Sequence, residues 1–156
     1  MVTINKATII ANIWETVKDA ITTGVTSVTL ADATTQTIAT YTSSFPDKVA
    51  DTKSSYPIIV INPVDANWTD LTFTRKRTNG TFEIEVYTTK SESADLFLAK
   101  IIDTIETNRA AFRILGMSFV NLESTRSDEV FRGQIKVHIR TARFTFKFTF
   151  DKTRVW

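Results

Sequence analysis

Apolar residues near the start of the chain recur at spacings of three and four: Ile10, Ile13, Trp14, Val17 and Ile21. That period places them on one stripe and predicts a helix over residues 5–21. Asn5 or Thr3 is placed to cap it, and Gly24 lies just beyond its end. A second stripe runs through Phe97, Ile101, Ile105 and Phe112, widened by Leu98 and Ile102. Ser91 or Ser93 can cap this helix, and Glu92 and Asp95 carry favourable charge into its first turn. Asn108 interrupts the stripe, and Gly116 marks the exit.

The pattern elsewhere has a period of two. Residues 56–63, YPIIVINP, form a short run apolar on both faces, which predicts a central, buried strand ended by Pro63. Residues 67–70 predict a turn. Runs 71–77 and 81–89 flank Asn79-Gly80, a pair suited to a type I′ turn, and so predict a hairpin. Its register sets Arg77 against Phe82, Arg75 against Ile84 and Lys76 against Glu83, with the stems of Arg75 and Arg77 laid over the apolar face. Residues 117–122 read as a strand and 123–129 (ESTRSDE) as a polar loop. The last run alternates with odd apolar parity through Ile135, Val137 and Ile139. It then turns even through Phe144, Phe146, Phe148 and Phe150. A β-bulge or bend near 141–143 would keep one face inward.

Residues 25–55 are rich in Thr, Ser, Ala and Asp, with small strand-like islands at 25–30 and 36–41. The part at 42–55 has turn composition, and it is either mobile or ordered by a neighbouring molecule. The order of elements is helix, weak β region, three strands, helix, then two or three strands. It predicts an α+β fold: a mixed, mainly antiparallel sheet with two helices packed on one face. The second face is left bare unless another subunit covers it. A length of 156 residues suits one domain, 1–156, with a polar loop or arm at about 31–55.

Composition narrows the chemistry. The chain contains no cysteine, which removes disulfides, thiolate catalysis and sulfur-ligated metals and suits a reducing compartment. The first 21 residues do not read as a signal peptide, and no apolar run approaches the roughly 20 residues of a membrane span. These features predict assembly in the cytoplasm, with no membrane partner. The net charge of +2 is too small to argue for nucleic acid by itself. Its distribution is uneven. Residues 1–70 hold 4 basic and 7 acidic side chains, giving −3, and residues 71–156 hold 15 and 10, giving +5. Such asymmetry can orient a molecule in an assembly or toward a polyanion.

His138 is the single histidine, and its place in mid-strand predicts a surface position with no nucleophile beside it. Glu83 and Glu85 share a strand face and are better explained by pairing with cations than by acid–base catalysis. There is no phosphate-binding glycine loop, nucleophile elbow, dinucleotide fingerprint or calcium loop. A non-enzyme with no cofactor is the expectation. The C-terminal run interleaves Arg132, Lys136, Arg140, Arg143, Lys147, Lys152 and Arg154 with phenylalanines, a texture shared with nucleic-acid binders. The phenylalanines fall on one strand face and belong in a core. Arg143 and Lys147 fall on the other, where copies in a ring would line a channel that attracts DNA without reading it.

In order and texture the chain resembles the tail-completion or tail-terminator proteins of long-tailed bacteriophages, and more loosely the head–tail joining proteins. The similar features are the N-terminal amphipathic helix, a variable region and YPIIVINP at 56–63. TFTRKRTNGTFEIEVYT at 72–88, SADLFLAKIIDTIETNRAAF at 93–112 and GQIKVHIRTARFTFKFTF at 133–150 complete the pattern. The resemblance implies a hexameric ring that caps the tail tube, stops its polymerisation and presents a surface to a head-side connector or neck protein. It implies a virion location at the head-proximal end of the tail. It makes Arg140, Arg143 and Lys147 candidates for a lumen or interface, with non-specific contact to DNA passing through. Asp47, Lys48, Trp68, Arg75, Arg77 and Arg126 become candidates for contacts with the tube protein or neighbouring subunits. A head-completion or neck adaptor docking on the portal side, and a small nucleic-acid-binding domain, are the alternatives.

Overall fold

The computed structural model describes residues 9–46, 53–70 and 75–151. In chain order the elements are α1 (Ile9–Gly24), β1 (Ser27–Thr29), β2 (Thr35–Thr37), β3 (Thr40–Thr42), β4 (Ile58–Ile61) and β5 (Asp65–Asp70). There follow β6 (Arg75–Thr88), α2 (Ser91–Thr107), α3 (Arg109–Ile114), β7 (Met117–Arg132) and β8 (Ile135–Asp151). The α+β class predicted from the pattern is the one observed. The main sheet runs β3-β4-β6-β8-β7, with β5 on the same edge of β6 as β4. Only the β3–β4 pair in it is parallel.

Both amphipathic stripes bury as their spacing predicts. Ile13, Val17 and Ile21 of α1 join Phe97, Ile101 and Ile105 of α2 over the sheet. The long second helix divides at Asn108, the residue that breaks its stripe. Its side-chain amide donates to the Thr104 carbonyl at 2.8 Å, and Phe112 continues the buried stripe on α3. Neither serine caps α2 through its side chain. The cap position falls on Lys90, and Ser93 donates back to the Lys90 carbonyl at 2.9 Å. The sheet contributes Ile59 and Ile61, Phe82, Ile84 and Val86, and Ala142, Phe144, Phe146 and Phe148. Each such side chain withdrawn from water stabilises the fold by about 1.5–3 kcal/mol. Phe82 and Phe144 stack across β6 and β8 with ring centroids 5.1 Å apart.

The predicted hairpin at Asn79-Gly80 does not form. Both residues lie inside β6, which runs without a break from Arg75 to Thr88. Its register on β8 is continuous, with Asn79 opposite Lys147 and Gly80 opposite Phe146. Glycine is needed here for space. A Cβ on Gly80 would lie 2.3 Å from Cζ of Phe146. The short-range turn signal was outcompeted by strand neighbours on both edges, β8 on one and β5 on the other. Residues 67–70, read as a turn, belong to β5. Arg75 and Arg77 share the face of Glu83 rather than the apolar face, and Glu83 sits opposite Arg143.

The 123–129 segment is also strand, not loop. It lies within β7, which pairs with β8 down to a two-residue turn at Gly133-Gln134. Gly133 has φ +64°, the one positive φ of that turn, as expected for type II′. The predicted bulge in β8 is absent. Its register with β6 never slips, and the bulges lie on β7, between Ser118 and Asn121 and between Leu122 and Ser124. The parity change in β8 has another cause, a change in which face is buried. Val137 packs with Tyr56, Ile58 and Val60 on the face away from the helices, joined by Phe45, Tyr87, Ile135 and Ile139. The second face, predicted bare, is therefore covered over one half. Part of that cover comes from Phe45 of the 31–55 segment, which meets Tyr87 with centroids 4.5 Å apart. Elsewhere in the segment Ile38 and Tyr41 join the helix-side core, Tyr41 donating to the Val25 carbonyl at 2.5 Å, while residues 31–35 are exposed.

Candidate assembly surfaces

The uncovered half of the second face spans β5, β6, β8 and β7. One cross-strand row sets Asp65, Thr81, Thr145 and Asn121 side by side, and the next carries Asn67, Asn79, Lys147 and Ser118. All of these but Ser118 line a shallow groove of about 620 Å³. Its lining mixes amides and hydroxyls with the charged Asp65, Arg143 and Lys147 and the apolar Ala66, Phe119 and Phe146.

Arg140, Arg143 and Lys147, grouped by the sequence, are separated by the fold. Arg140 lies on the helix side, where its Nε donates to Asp95 at 2.7 Å and one terminal nitrogen donates to Ser91 Oγ at 3.2 Å. Its side chain is 10 % exposed, and it ties β8 to the start of α2. It therefore cannot line a channel with the other two. Arg143 faces the groove but is held by two carboxylates, donating to Glu123 at 2.6 Å and to Glu83 at 3.0 Å. The bond to Glu123 and then that to Glu83 raise its pKa further, so its charge is permanent and locally neutralised. Lys147 is exposed, and its Nζ lies 5.3 Å from the centre of the Phe119 ring. Among the described residues it has no carboxylate at ion-pair distance. Of Arg140, Arg143 and Lys147, the first two are thus held by carboxylates and the third is not.

The other candidates scatter. Trp68 stands on β5 and is 38 % exposed, on the face of Thr78 and Phe148. Arg75 and Arg77 lie at the start of β6, Arg77 between Thr69 and Thr149. Arg126 stands opposite Thr141 on β7, near Tyr87, whose hydroxyl pKa is raised by burial and by its 2.5 Å bond to Glu85. Asp47 and Lys48 lie outside the described residues.

Two features escaped sequence reasoning. The first is an arm. Beyond the last β6 pair, Thr88 with His138, strands β7 and β8 continue as a two-stranded ribbon. Four further residues on each side carry it about 13 Å past β6, with Val137 buried and Ile135 packed on the Tyr56–Ile58–Val60 cluster. Phe131 is 73 % exposed near its tip, and Val130 is partly exposed on the other face. The Arg132 guanidinium, in the last pair before the turn, lies 4.8 Å from the Phe45 ring and ties the end of the ribbon to the body. Glu129 receives Lys136 at 2.9 Å and lies 3.2 Å from Nδ1 of His138. His138 is more enclosed than the surface position predicted for it, with 12 % of its side chain exposed. The signal for the arm was available, since β8 has apolar parity well before its phenylalanines begin.

The second is Phe119, in the first bulge of β7. Its φ is +55°, a conformation that costs a bulky residue on the order of 1–3 kcal/mol, and its ring is 69 % exposed. Nothing in the sequence marks it.

Among the described residues no group of three or more His, Cys, Asp or Glu side chains is placed to hold a metal, and no helix is long and apolar enough to cross a membrane. No protein-family model matches the chain, and no curated protein matches its sequence.

Proposed function

We propose that this chain is a structural virion protein of a long-tailed phage. It forms a ring on the head-proximal end of the tail tube, ends tube polymerisation and supplies the surface on which the head docks. The observation that carries the reading is the β7–β8 arm, with exposed Phe131. Packing of Ile135 and Val137 on the body accounts for the ribbon's one face, but it leaves Phe131 exposed on the other. Contact with another chain would cover it. The element order adds support through the resemblance described above. Termination is then geometric. The ring matches the last layer of the tube and offers no copy of the tube's own growth surface, so no further tube subunit docks.

Incubation with purified tail tubes, followed by electron microscopy and measurement of bound mass per tube end, tests this. Six copies at one end of each tube, and tubes that no longer elongate, are the expected result. A chain that ignores tube ends but binds portal-side complexes overturns the terminator reading in favour of a neck adaptor. Tight, salt-sensitive binding of DNA by the unassembled chain, with no affinity for either structure, overturns both.

A further inference from the structure

Phe119 has a counterpart on the opposite edge of the sheet. There Ile10, Ala11 and Trp14 of α1 meet Pro63, Val64 and Ser43 around an apolar groove of about 470 Å³. The Trp14 indole nitrogen donates to the Ile61 carbonyl at 3.0 Å, so its polar atom is satisfied and its ring remains an apolar wall. Knob and groove stand at the same height. The row Asp65–Thr81–Thr145–Asn121 crosses the sheet, with Val64 just before one end and Phe119 two residues before the other. Three strand spacings, about 14 Å, separate those edges. The charge balance around them differs. Arg109, Arg113 and Lys147 lie around Phe119, with Glu106 3.9 Å from Arg109. Glu15 and Asp65 adjoin the groove in sequence, although Lys18 lies 5.0 Å from the Trp14 ring and Asp65 also lines the depression that holds Phe119 and Lys147. On a larger scale, all groove residues belong to the segment 1–70 with charge 4 − 7 = −3, and the knob belongs to the segment 71–156 with charge 15 − 10 = +5.

We infer that Phe119 of one copy seats in the Ile10–Trp14–Val64 groove of the next, making a head-to-tail contact between copies of this chain. A protrusion and a recess on opposite edges of one molecule let each copy seat its knob in the next copy and offer its own groove to a third, a contact that repeats around a ring or along a filament. The contact gives the strained, exposed aromatic a partner, and places the arm, at the far end of β7, outside the self-contact. The inference rests on the ring reading above and names its interface.

The absence of cysteine makes the contact easy to probe. Ser43→Cys, Phe119→Cys and the double variant are treated with a short bis-maleimide, with and without tail tubes. Far-ultraviolet circular dichroism confirms that each is folded. A ladder of covalent multimers from the double variant, with neither single variant cross-linking, is expected. Phe119→Asp should weaken self-association by about tenfold or more, and added salt should weaken it further. Dimers from Phe119→Cys alone, or a double variant whose cross-linking stops at the dimer, mean an isologous contact and overturn the inference. So does a Ser43→Cys thiol shielded in a monomer, which means that the groove is filled by the chain itself. Rings on tube ends without a ladder remove this interface and leave the ring reading intact. A ladder without rings on tubes does the reverse.

Discussion

The two ends of β8 are built for different purposes. Toward its C-terminus, Ala142, Phe144, Phe146 and Phe148 point to the helices, with β6 on one side and β7 on the other. Toward its N-terminus, Ile135, Val137 and Ile139 point the opposite way into a small cluster, and beyond His138 the strand keeps only β7 as a neighbour. The first end anchors the domain. The second extends past it and exposes Phe131 on the adjoining strand. One continuous strand therefore carries both the core and the surface offered to a partner, and the burial changes face between them. Damage to the two ends should separate stability from assembly.

The largest effect is expected at the anchored end. Phe144→Ala removes a side chain with no solvent exposure that stacks on Phe82, and should cost about 3–5 kcal/mol in urea unfolding. A loss below about 1 kcal/mol would mean that this end is not the anchor. Gly80→Ala comes next. The new methyl collides with the Phe146 ring, and a loss of about 1–3 kcal/mol is expected. Shortening the ring with Phe146→Leu should make the two changes less than additive in a double-mutant cycle. If Asn79-Gly80 formed a turn in solution, the two sites would behave independently.

At the extended end, Phe131→Ser should leave the unfolding free energy within about 0.5 kcal/mol, because the ring is already largely in water. It should nonetheless abolish binding to tube ends, read by co-sedimentation. A variant that caps tubes normally removes the arm from the mechanism. The smallest effect is one of pH. The hydrogen bond from Lys136 holds the Glu129 carboxyl below its usual 4.5, with a further contribution from His138. A depressed carboxylate stabilises the fold above its unfolded pKa, and that contribution is lost as pH falls through the folded value. Carboxyl titration by NMR should place Glu129 below 4.5 in the wild type and closer to it in Lys136→Met. An unchanged midpoint in the variant would show that the pair does not persist in solution.

Where the sequence can be read depends on the range of the signal. The stripes of α1 and α2 and the four apolar residues of β4 are local patterns; β4 and the centre of each stripe bury, with Ile10, Trp14, Leu98 and Ile102 partly covered at the margins. The break at Asn108 is equally local. The Asn79-Gly80 turn was local too, yet it lost to pairing partners far away in sequence. The 123–129 segment is polar on both faces because both are exposed, so period-two alternation could not reveal it as strand. Of the basic candidates, Arg143 was placed on the correct face. Its neutralisation by Glu83 and Glu123 depends on two strands 20 and 60 residues away, beyond the reach of any spacing rule.

The sequence by itself determined the α+β class, the helix faces that bury, the centrality of β4 and the change of parity within β8. All of these follow from periods repeated over a few residues, which any compact packing must honour. Only the tertiary structure decided that the parity change marks two buried faces rather than a bulge. It alone decided that Gly80 makes room for Phe146, that Arg140 belongs to the helix side, and that Phe119 stands exposed in a bulge at the sheet edge. Those outcomes depend on which strands become neighbours, and strand pairing is settled by the packing of the whole chain.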